Sequence, residues 1–184
     1  MDKVIADAAS RMDKAVEATE HEFATIRTGR ASPALLDKIQ VPAYGSRMPV
    51  NQLATIAVPE PRLLTITPWD KSIVKSIENA ILQSELGLTP SSDGNIIRLA
   101  IPQLTEERRK ELAKLVRQVG EEGRVAVRNV RRDAIEKIKR MEEHDHLSED
   151  EVHRGENEIQ ELTDKHIGRL DELVKKKVAE VMEV

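Results

Sequence analysis

The chain has 184 residues and a formal net charge of −4, contains no cysteine, and has only three aromatic residues. The lack of cysteine excludes disulfides and thiolate chemistry, and the scarcity of aromatic side chains limits any broad globular core. No apolar run reaches the roughly 20 residues that a membrane-spanning helix needs. We therefore expect a cytoplasmic protein without a membrane partner.

Proline divides the chain into three parts. All eight prolines fall between residues 33 and 102, whereas residues 1–30 and 103–184 contain none. Because proline fixes φ and removes a backbone donor, the flanks can form long helices, and the middle must consist of short elements. We predict a discontinuous domain of residues 1–30 and 105–184, with a second domain of residues 31–104 inserted into it.

Three apolar seams predict three long helices in the discontinuous domain, because their members recur mostly at steps of four and three residues. The first seam consists of Ile5, Ala9, Met12, Val16, Thr19, Phe23 and Ile26. The second consists of Leu112, Val116, Val119, Gly123, Ala126, Val130, Ala134, Ile138 and Met141. The third consists of Ile159, Leu162, His166, Leu170, Val174 and Val181. These seams predict an elongated antiparallel three-helix bundle.

The sequence also marks where the third helix begins. Ser148 and Glu151 have the spacing of a capping box, and Leu147 and Val152 can form the hydrophobic staple that accompanies it. A short turn therefore joins the second and third helices.

The insert has a different pattern, with short β-branched runs between Pro, Gly, Asn or Ser that predict strands. These runs are residues 39–41, 53–58, 63–67 and 96–101. One amphipathic helix is predicted over residues 71–86, because an apolar face precedes Gly87. That face consists of Ile73, Ile77, Ile81 and Leu82. The predicted fold class is α+β, with a small β/α/β sandwich inserted into the bundle.

The chain crosses between the two domains twice, near residues 28–33 and 101–105. Two linkers that lie close together define a hinge axis, although rigid packing of the domains is the alternative. The predicted hinge residues are Gly29, Arg30, Ala31, Pro102, Gln103 and Leu104.

Charge is segregated along the bundle. Residues 105–141 hold 12 basic and 7 acidic side chains, whereas residues 142–184 hold 6 basic and 14 acidic ones. A polyanion would therefore meet one face of the molecule rather than all of it.

Within the basic segment, five cations fall in a sector of about 60° on a helix, roughly opposite the apolar seam. They are Lys110, Arg117, Arg124, Arg128 and Arg131. Such a row can track an RNA backbone, since arginine presents a planar fork suited to phosphate. Arg27 and Arg30 could extend the row toward the insert. Glu106 and Glu121 share the sector, so a solvated helix face is the alternative.

No catalytic signature is present, because GxxxxGK[ST], HExxH, GxSxG and paired CxxC are all absent. We predict neither an enzyme nor a cofactor. His144, His146 and His153 could form a metal site, but their polar turn favours solvated side chains, so no metal is predicted. His21 and His166 are expected to pack in the bundle. A metal-dependent hydrolase and an adapter or scaffold protein are the alternatives to RNA binding.

Four segments of the chain form a distinctive set: IRTGRASPALL (26–36), LGL (86–88), PQLTEERRK (102–110) and RVAVRNVRRDA (124–134). In order and spacing they resemble motifs of the bacterial ribosome recycling factor family. Gly120, Gly123 and the turn from His144 to His146 depart from the family's pattern. A glycine inside a helix costs about 1 kcal/mol relative to alanine, which puts local helix stability in doubt.

The resemblance implies an L-shaped monomer that binds large-subunit ribosomal RNA between the subunits after termination. It further implies that elongation factor G and GTP act with the protein to split the ribosome for a new round of initiation. The family's RNA-contacting arginines fall on Arg27, Arg109, Arg128 and Arg131. The whole predicted RNA-binding set is Arg27, Arg30, Arg109, Lys110, Arg117, Arg124, Arg128, Arg131 and Arg132.

Overall fold

A computed structural model describes residues 1–183 of the protein. The chain divides into two compact units, one formed by Met1–Arg27 with Thr105–Val184 and the other by Thr28–Leu104. The chain passes between the units after Arg27 and after Leu104. Long helices in one unit and small antiparallel sheets in the other confirm the α+β class. Among the described residues, no helix combines the length and hydropathy that a membrane span requires.

The bundle unit consists of α1 (Asp2–Thr25), α3 (Glu106–Asp145) and α4 (Glu149–Met182), while α2 lies in the other unit. The predicted capping box of α4 is confirmed. The Ser148 hydroxyl accepts a hydrogen bond from the Glu151 amide, and the Glu151 carboxylate accepts one from the Ser148 amide. These bonds satisfy two amides that the first turn of the helix leaves unpaired.

Ion pairs between the helices give their directions. Arg11 of α1 pairs with Asp133 of α3 at 2.8 Å. Asp7, one turn earlier in α1, pairs with Lys137, one turn later in α3, at 3.3 Å. These two helices are therefore antiparallel. A short turn at His146, whose φ is +50°, reverses the chain between α3 and α4.

The buried face of α1 runs through Met12, Val16 and Phe23, as predicted. On α3 the predicted seam is partly wrong, since Ala126 is exposed while Val127 is fully buried. The strict alternation of four and three residues drifts against the 3.6-residue turn of a straight helix, so the buried face moves around α3 along its length.

Gly120 and Gly123 are the points of closest approach between the helices. A Cβ at Gly120 would lie 2.3 Å from Cγ2 of Val174, and one at Gly123 would lie 2.4 Å from Oγ1 of Thr19. Both distances are too short for real Cβ contacts. The two glycines, which the sequence interpretation treated as local weaknesses, therefore allow α1 and α4 to pack closely on α3.

This packing predicts opposite effects for two glycine-to-alanine substitutions. Gly168→Ala meets no atom within 4 Å. It should raise the free energy of unfolding by up to about 1 kcal/mol through helix propensity. Gly120→Ala gains the same helix propensity, but its Cβ would clash with the stiff side chain of Val174. This clash should lower the free energy of unfolding by about 1 to 3 kcal/mol. Urea unfolding followed by helical circular dichroism measures both, and equal stabilisation by the two variants would contradict this packing.

His166 is buried between α1 and α4, as expected, whereas His21 is exposed, so its predicted packing role is wrong. His21 lies between Thr19 and Phe23, on the opposite side of α1 from their shared face. The His166 ring lies within hydrogen-bond distance of two acceptors, with Nδ1 2.6 Å from the Leu162 carbonyl oxygen and Nε2 2.8 Å from Asp13 Oδ1. The hydrogen bond from His166, aided by Arg169, lowers the pKa of Asp13.

Within residues 28–104, all of which the structure describes, two antiparallel sheets and one α-helix share a hydrophobic core. The strands are β1 (Gln40–Ala43), β2 (Ser46–Pro49), β3 (Ala54–Glu60), β4 (Leu63–Pro68), β5 (Ser91–Ser92) and β6 (Ile97–Ala100). One sheet pairs β1 with β2, and the other has the order β3-β4-β6-β5. The sequence analysis missed β2 and β5, because Ser46–Pro49 and Ser91–Ser92 contain no β-branched residue.

The helix α2 (Val74–Leu82) is shorter than predicted. A 3₁₀ turn at Lys71–Ile73 precedes it, and the Ser84 hydroxyl bonds to the Ile81 carbonyl oxygen just beyond its end. Ile77 and Ile81 are fully buried against the sheets, but Leu82 is exposed, which corrects its predicted place on the apolar face.

Candidate nucleic-acid interface

The arginine row of α3 lies beside α4 rather than opposite the core. Arg124 bonds to Asp171 of α4 at 2.7 Å, and Arg131 donates to Gln160 of α4 at 3.2 Å. The predicted position was wrong because the true buried face of α3 is rotated toward these arginines. The row therefore follows the flank where the basic helix meets the acidic one.

Arg124 is mainly a cross-link between the helices. Its side chain is only 20% exposed and also bonds to Glu121 at 3.0 Å. Burial by itself would lower the pKa of Arg124, but the hydrogen bonds to Asp171 and Glu121 outweigh it and raise that pKa. The guanidinium thus stays charged, with two carboxylates already bound to it.

Arg128 is more open than Arg124. It donates to the other carboxylate oxygen of Glu121 at 3.1 Å, and its side chain is 43% exposed. The hydrogen bond from Arg128, followed by that from Arg124, lowers the pKa of Glu121. Glu121 therefore remains ionised and holds Arg128 in place on the surface.

Arg109 and Arg131 each bury a donor that has no acceptor. Their Nε atoms are shielded from solvent and have no hydrogen-bond partner among the described residues. Both residues are only partly exposed. Because a phosphate oxygen cannot reach a nitrogen that solvent does not reach, a phosphate would contact the exposed parts of these guanidinium groups rather than the Nε atoms.

The remaining predicted cations lie on the surface. Arg27, Arg117 and Arg132 are exposed and form no ion pair within the described chain, and Arg30 is exposed as well. Lys110 pairs with Glu106 along α3 at 2.8 Å. Surface pairs of this kind contribute little stability, so they can exchange for phosphate contacts at small cost.

Both linkers are fastened to the turn between β3 and β4. The Ala31 amide donates to the Pro61 carbonyl oxygen at 2.8 Å, and the Ile101 amide donates to the Arg62 carbonyl oxygen at 2.8 Å. Ala31 also packs partly against the insert core. Ala31 therefore belongs to the insert, and residues 27–30 and 102–105 lie between these two hydrogen bonds and the bundle helices.

Gly29 occupies a backbone conformation that favours glycine. Its φ is +74°, and a Cβ there would lie 3.1 Å from Cγ of Leu104 in the returning linker. A larger residue at this position would be strained by the backbone and crowded by Leu104. The two linkers thus touch at the predicted hinge residues.

The histidine cluster considered from the sequence provides no metal site in the described residues. Among residues 1–183, no group of three His, Cys, Asp or Glu side chains is arranged to hold a metal ion. His144, His146 and His153 are exposed.

Comparison with known proteins identifies the family. The family model for the ribosome recycling factor matches residues 19–182. A ribosome-recycling factor of Rubrobacter xylanophilus is 59% identical over 180 residues, which cover 98% of this chain and 97% of that protein. The chain belongs to the ribosome recycling factor family. A relative from Carboxydothermus hydrogenoformans is 56% identical and matches over 98% of both chains.

Two solved structures of ribosome recycling factors have the same fold. A solution structure is 46% identical, has a TM-score of 0.77, and matches all of this chain and 97% of its own. The second, with 48% identity, a TM-score of 0.65 and 99% and 98% coverage, presents models for the T. thermophilus ribosome recycling factor and the E. coli elongation factor G bound to the E. coli post-termination complex. The family assignment made from the four motifs is confirmed.

Sequence reasoning found the arginines of this ribosome recycling factor family member but missed the groups that hold them. Asp171 and Gln160 lie in a different helix from the arginines that they contact. Which residues of α4 face α3 depends on the register between the helices, and no local pattern reveals it. The excess of acid in residues 142–184 was the available signal.

Proposed function

We propose that this protein binds the post-termination ribosome and, with elongation factor G and GTP, splits it into subunits for a new round of initiation. Membership of the ribosome recycling factor family supports the general role. The chain has no phosphate-binding loop of its own, so the nucleotide energy must come from a partner GTPase. On this proposal the protein is a cytoplasmic monomer that acts as a translation factor and not as an enzyme.

One observation carries the RNA-binding part of the proposal. Arg109, Arg128 and Arg131 lie along one helix with at least partly exposed side chains, and Arg128 is held in place only by the surface carboxylate of Glu121. Phosphate oxygens of large-subunit ribosomal RNA can accept charge-assisted hydrogen bonds from these guanidinium groups. Arg27, Arg30, Lys110, Arg117 and Arg132 add long-range attraction, while Arg124 mainly fixes α4.

The linkers supply the mechanical part of the proposal. The bundle anchors on ribosomal RNA, and the insert changes its orientation about residues 27–30 and 102–105 when the GTPase acts on it. Pro102 stiffens the return linker, because its φ is fixed. Ala31 and Ile101, which are bonded to the β3–β4 turn, move with the insert.

Co-sedimentation with ribosomes at two salt concentrations tests the anchoring. Binding through several arginine–phosphate contacts should weaken steeply with salt, because each contact releases counterions. An adapter or scaffold protein that docks on proteins through neutral contacts should lose far less affinity. Salt-independent binding, or no binding at low salt, would contradict the anchoring proposal.

The hinge proposal predicts a separation of binding from splitting in Gly29→Val. The substitution forces a β-branched residue to adopt a positive φ and crowds Leu104, so it should slow subunit splitting several-fold. Ribosome affinity should remain within about twofold of the parent, since the substitution leaves the α3 arginines unchanged.

Gly94→Val is the matched control for this prediction. Gly94 also has a positive φ, of +94°, but a Cβ at this position would meet no atom within 4 Å, and the residue lies outside the linkers. The substitution should strain the insert without slowing the splitting step specifically. If both variants split ribosomes equally fast, the linker at Gly29 has no role as a pivot.

A further inference from the structure

Two of the three aromatic side chains of the protein are exposed, and both lie in the insert. Tyr44 is 68% exposed and Trp69 is 66% exposed, whereas Phe23 of the bundle is 4% exposed. The burial of an aromatic side chain makes a large favourable contribution to the free energy of folding or binding. A chain with so few of them, which leaves two on the surface, points to a partner that covers them.

The polar ends of both rings are already bonded inside the insert. The Tyr44 hydroxyl donates to Oδ2 of Asp70 at 2.6 Å, and the Trp69 indole N–H donates to Oγ1 of Thr55 at 3.0 Å. Asp70 directly follows Trp69 in the chain, so these bonds hold the two aromatic residues in one region. What remains available to a partner is the flat surface of each ring.

The backbone at Tyr44 has an uncommon conformation with a positive φ. Tyr44 and Gly45 form the turn between β1 and β2, with φ values of +53° and +79°. A non-glycine residue with positive φ is uncommon. The hydrogen bond from Tyr44 raises the pKa of its hydroxyl, so the phenol stays protonated and keeps Asp70 as its acceptor. The ring is therefore preorganised on an exposed hairpin tip.

The charge around the rings favours a nucleic acid as the partner. Arg47, Lys71 and Lys75 are exposed and form no ion pair within the described residues. The one carboxylate that contacts a ring residue, Asp70, already accepts hydrogen bonds from Tyr44 and from the amide and hydroxyl of Ser72. Stacking faces next to unpaired cations are the elements with which proteins bind single-stranded RNA.

We propose that the surface formed by Tyr44 and Trp69 binds unpaired RNA bases by stacking, with Arg47 and Lys71 placed for the adjacent phosphates. This is a second RNA contact, located on the insert and separate from the arginine row of α3. It goes beyond the proposed recycling function and does not depend on it.

Trp69 is the only tryptophan of the chain, so its fluorescence reports on this surface alone. Titration of the full-length protein with a single-stranded oligoadenylate of roughly eight nucleotides should quench the fluorescence saturably. A fully paired duplex of the same length should quench it much less. Tyr44→Leu should weaken the single-strand affinity about tenfold, since it removes one stacking face. Tyr44→Phe keeps the face and should retain most of the affinity.

Two further variants keep the test decisive. Arg47→Gln replaces the test if Tyr44→Leu disturbs the fold of the insert. Because Arg47 lies outside the core, its substitution should weaken RNA binding and reduce the salt dependence of that binding. The triple variant Arg109→Gln, Arg128→Gln and Arg131→Gln, which disables the proposed anchor, should leave the Trp69 titration unchanged. If this triple variant is defective in recycling but shows normal Trp69 quenching, the α3 anchor and the Tyr44–Trp69 surface are separate binding sites.

Three results would overturn the stacking proposal. The first is the absence of saturable quenching by the oligoadenylate. The second is quenching that is insensitive to both Tyr44→Leu and Arg47→Gln, or that disappears in the triple arginine variant. The third is a change in Trp69 fluorescence that ribosomal proteins free of RNA cause and the oligonucleotide does not cause. That result would make the surface a protein-docking site.

Discussion

Phe23→Ala should lower the free energy of unfolding of the bundle by about 3 to 5 kcal/mol, the usual cost of deleting a buried aromatic ring. Phe23 is the only aromatic side chain of the bundle unit and is almost fully buried. Its Cζ lies 3.9 Å from the position that a Cβ would take at Gly120, beside Val174. Because Gly120 has no side chain and that of Val174 is small, these two neighbours cannot fill the cavity.

Denaturant unfolding followed by helical circular dichroism measures this loss. Phe23→Leu keeps most of the apolar volume and should cost less than half as much. Met182→Ala, at an exposed position near the end of α4, should stay within about 0.5 kcal/mol of the parent. An unfolding midpoint that Phe23→Ala leaves unchanged would show that the assigned face of α1 is wrong.

The second large effect is expected on ribosome affinity. Replacing Arg109, Arg128 and Arg131 together by glutamine removes three charges from the proposed anchor. The slope of log affinity against log salt should fall by about 2 to 3, since each phosphate contact contributes roughly 0.7 to 0.9. Stability should change little, because Arg128 forms only a surface ion pair with Glu121 and Arg131 forms only one exposed hydrogen bond, to Gln160.

A charge-matched triple variant provides the control. Arg108, Arg140 and Arg154 are exposed, and each pairs with a glutamate of its own helix. Their replacement by glutamine changes the net charge by the same amount outside the predicted RNA-binding set. If both triple variants lose the same affinity and the same salt dependence, the arginine row is no more than a source of general positive charge.

The sequence predicted the long helices because their signals are local and repeated. The capping box at Ser148 and the run of prolines between residues 33 and 102 depend on neighbouring residues alone, and the structure agrees with both. Strand β2 was missed for the converse reason. Its residues have weak strand propensity, and it forms because the turn at Tyr44 and Gly45 brings it against β1.

Contacts between helices were the least predictable part of the site. The α3 row was recognised from its spacing, but the pairing of Arg124 with Asp171 depends on how α3 and α4 rotate against each other. Gly120 and Gly123 mark where α4 and α1 come so close to α3 that a Cβ would clash. In the sequence the same glycines indicate only a loss of helix propensity.

Subunit splitting measured by light scattering tests the central claim most directly. Post-termination ribosomes would be mixed with this protein, elongation factor G and GTP, and compared with mixtures that omit each component in turn or replace GTP with a non-hydrolysable analogue. We predict a fall in scattering only in the complete mixture, and a much slower fall when the variant lacking Arg109, Arg128 and Arg131 replaces the parent protein. Ribosomes that stay intact in the complete mixture, or that split equally well without this protein, would contradict the proposed function.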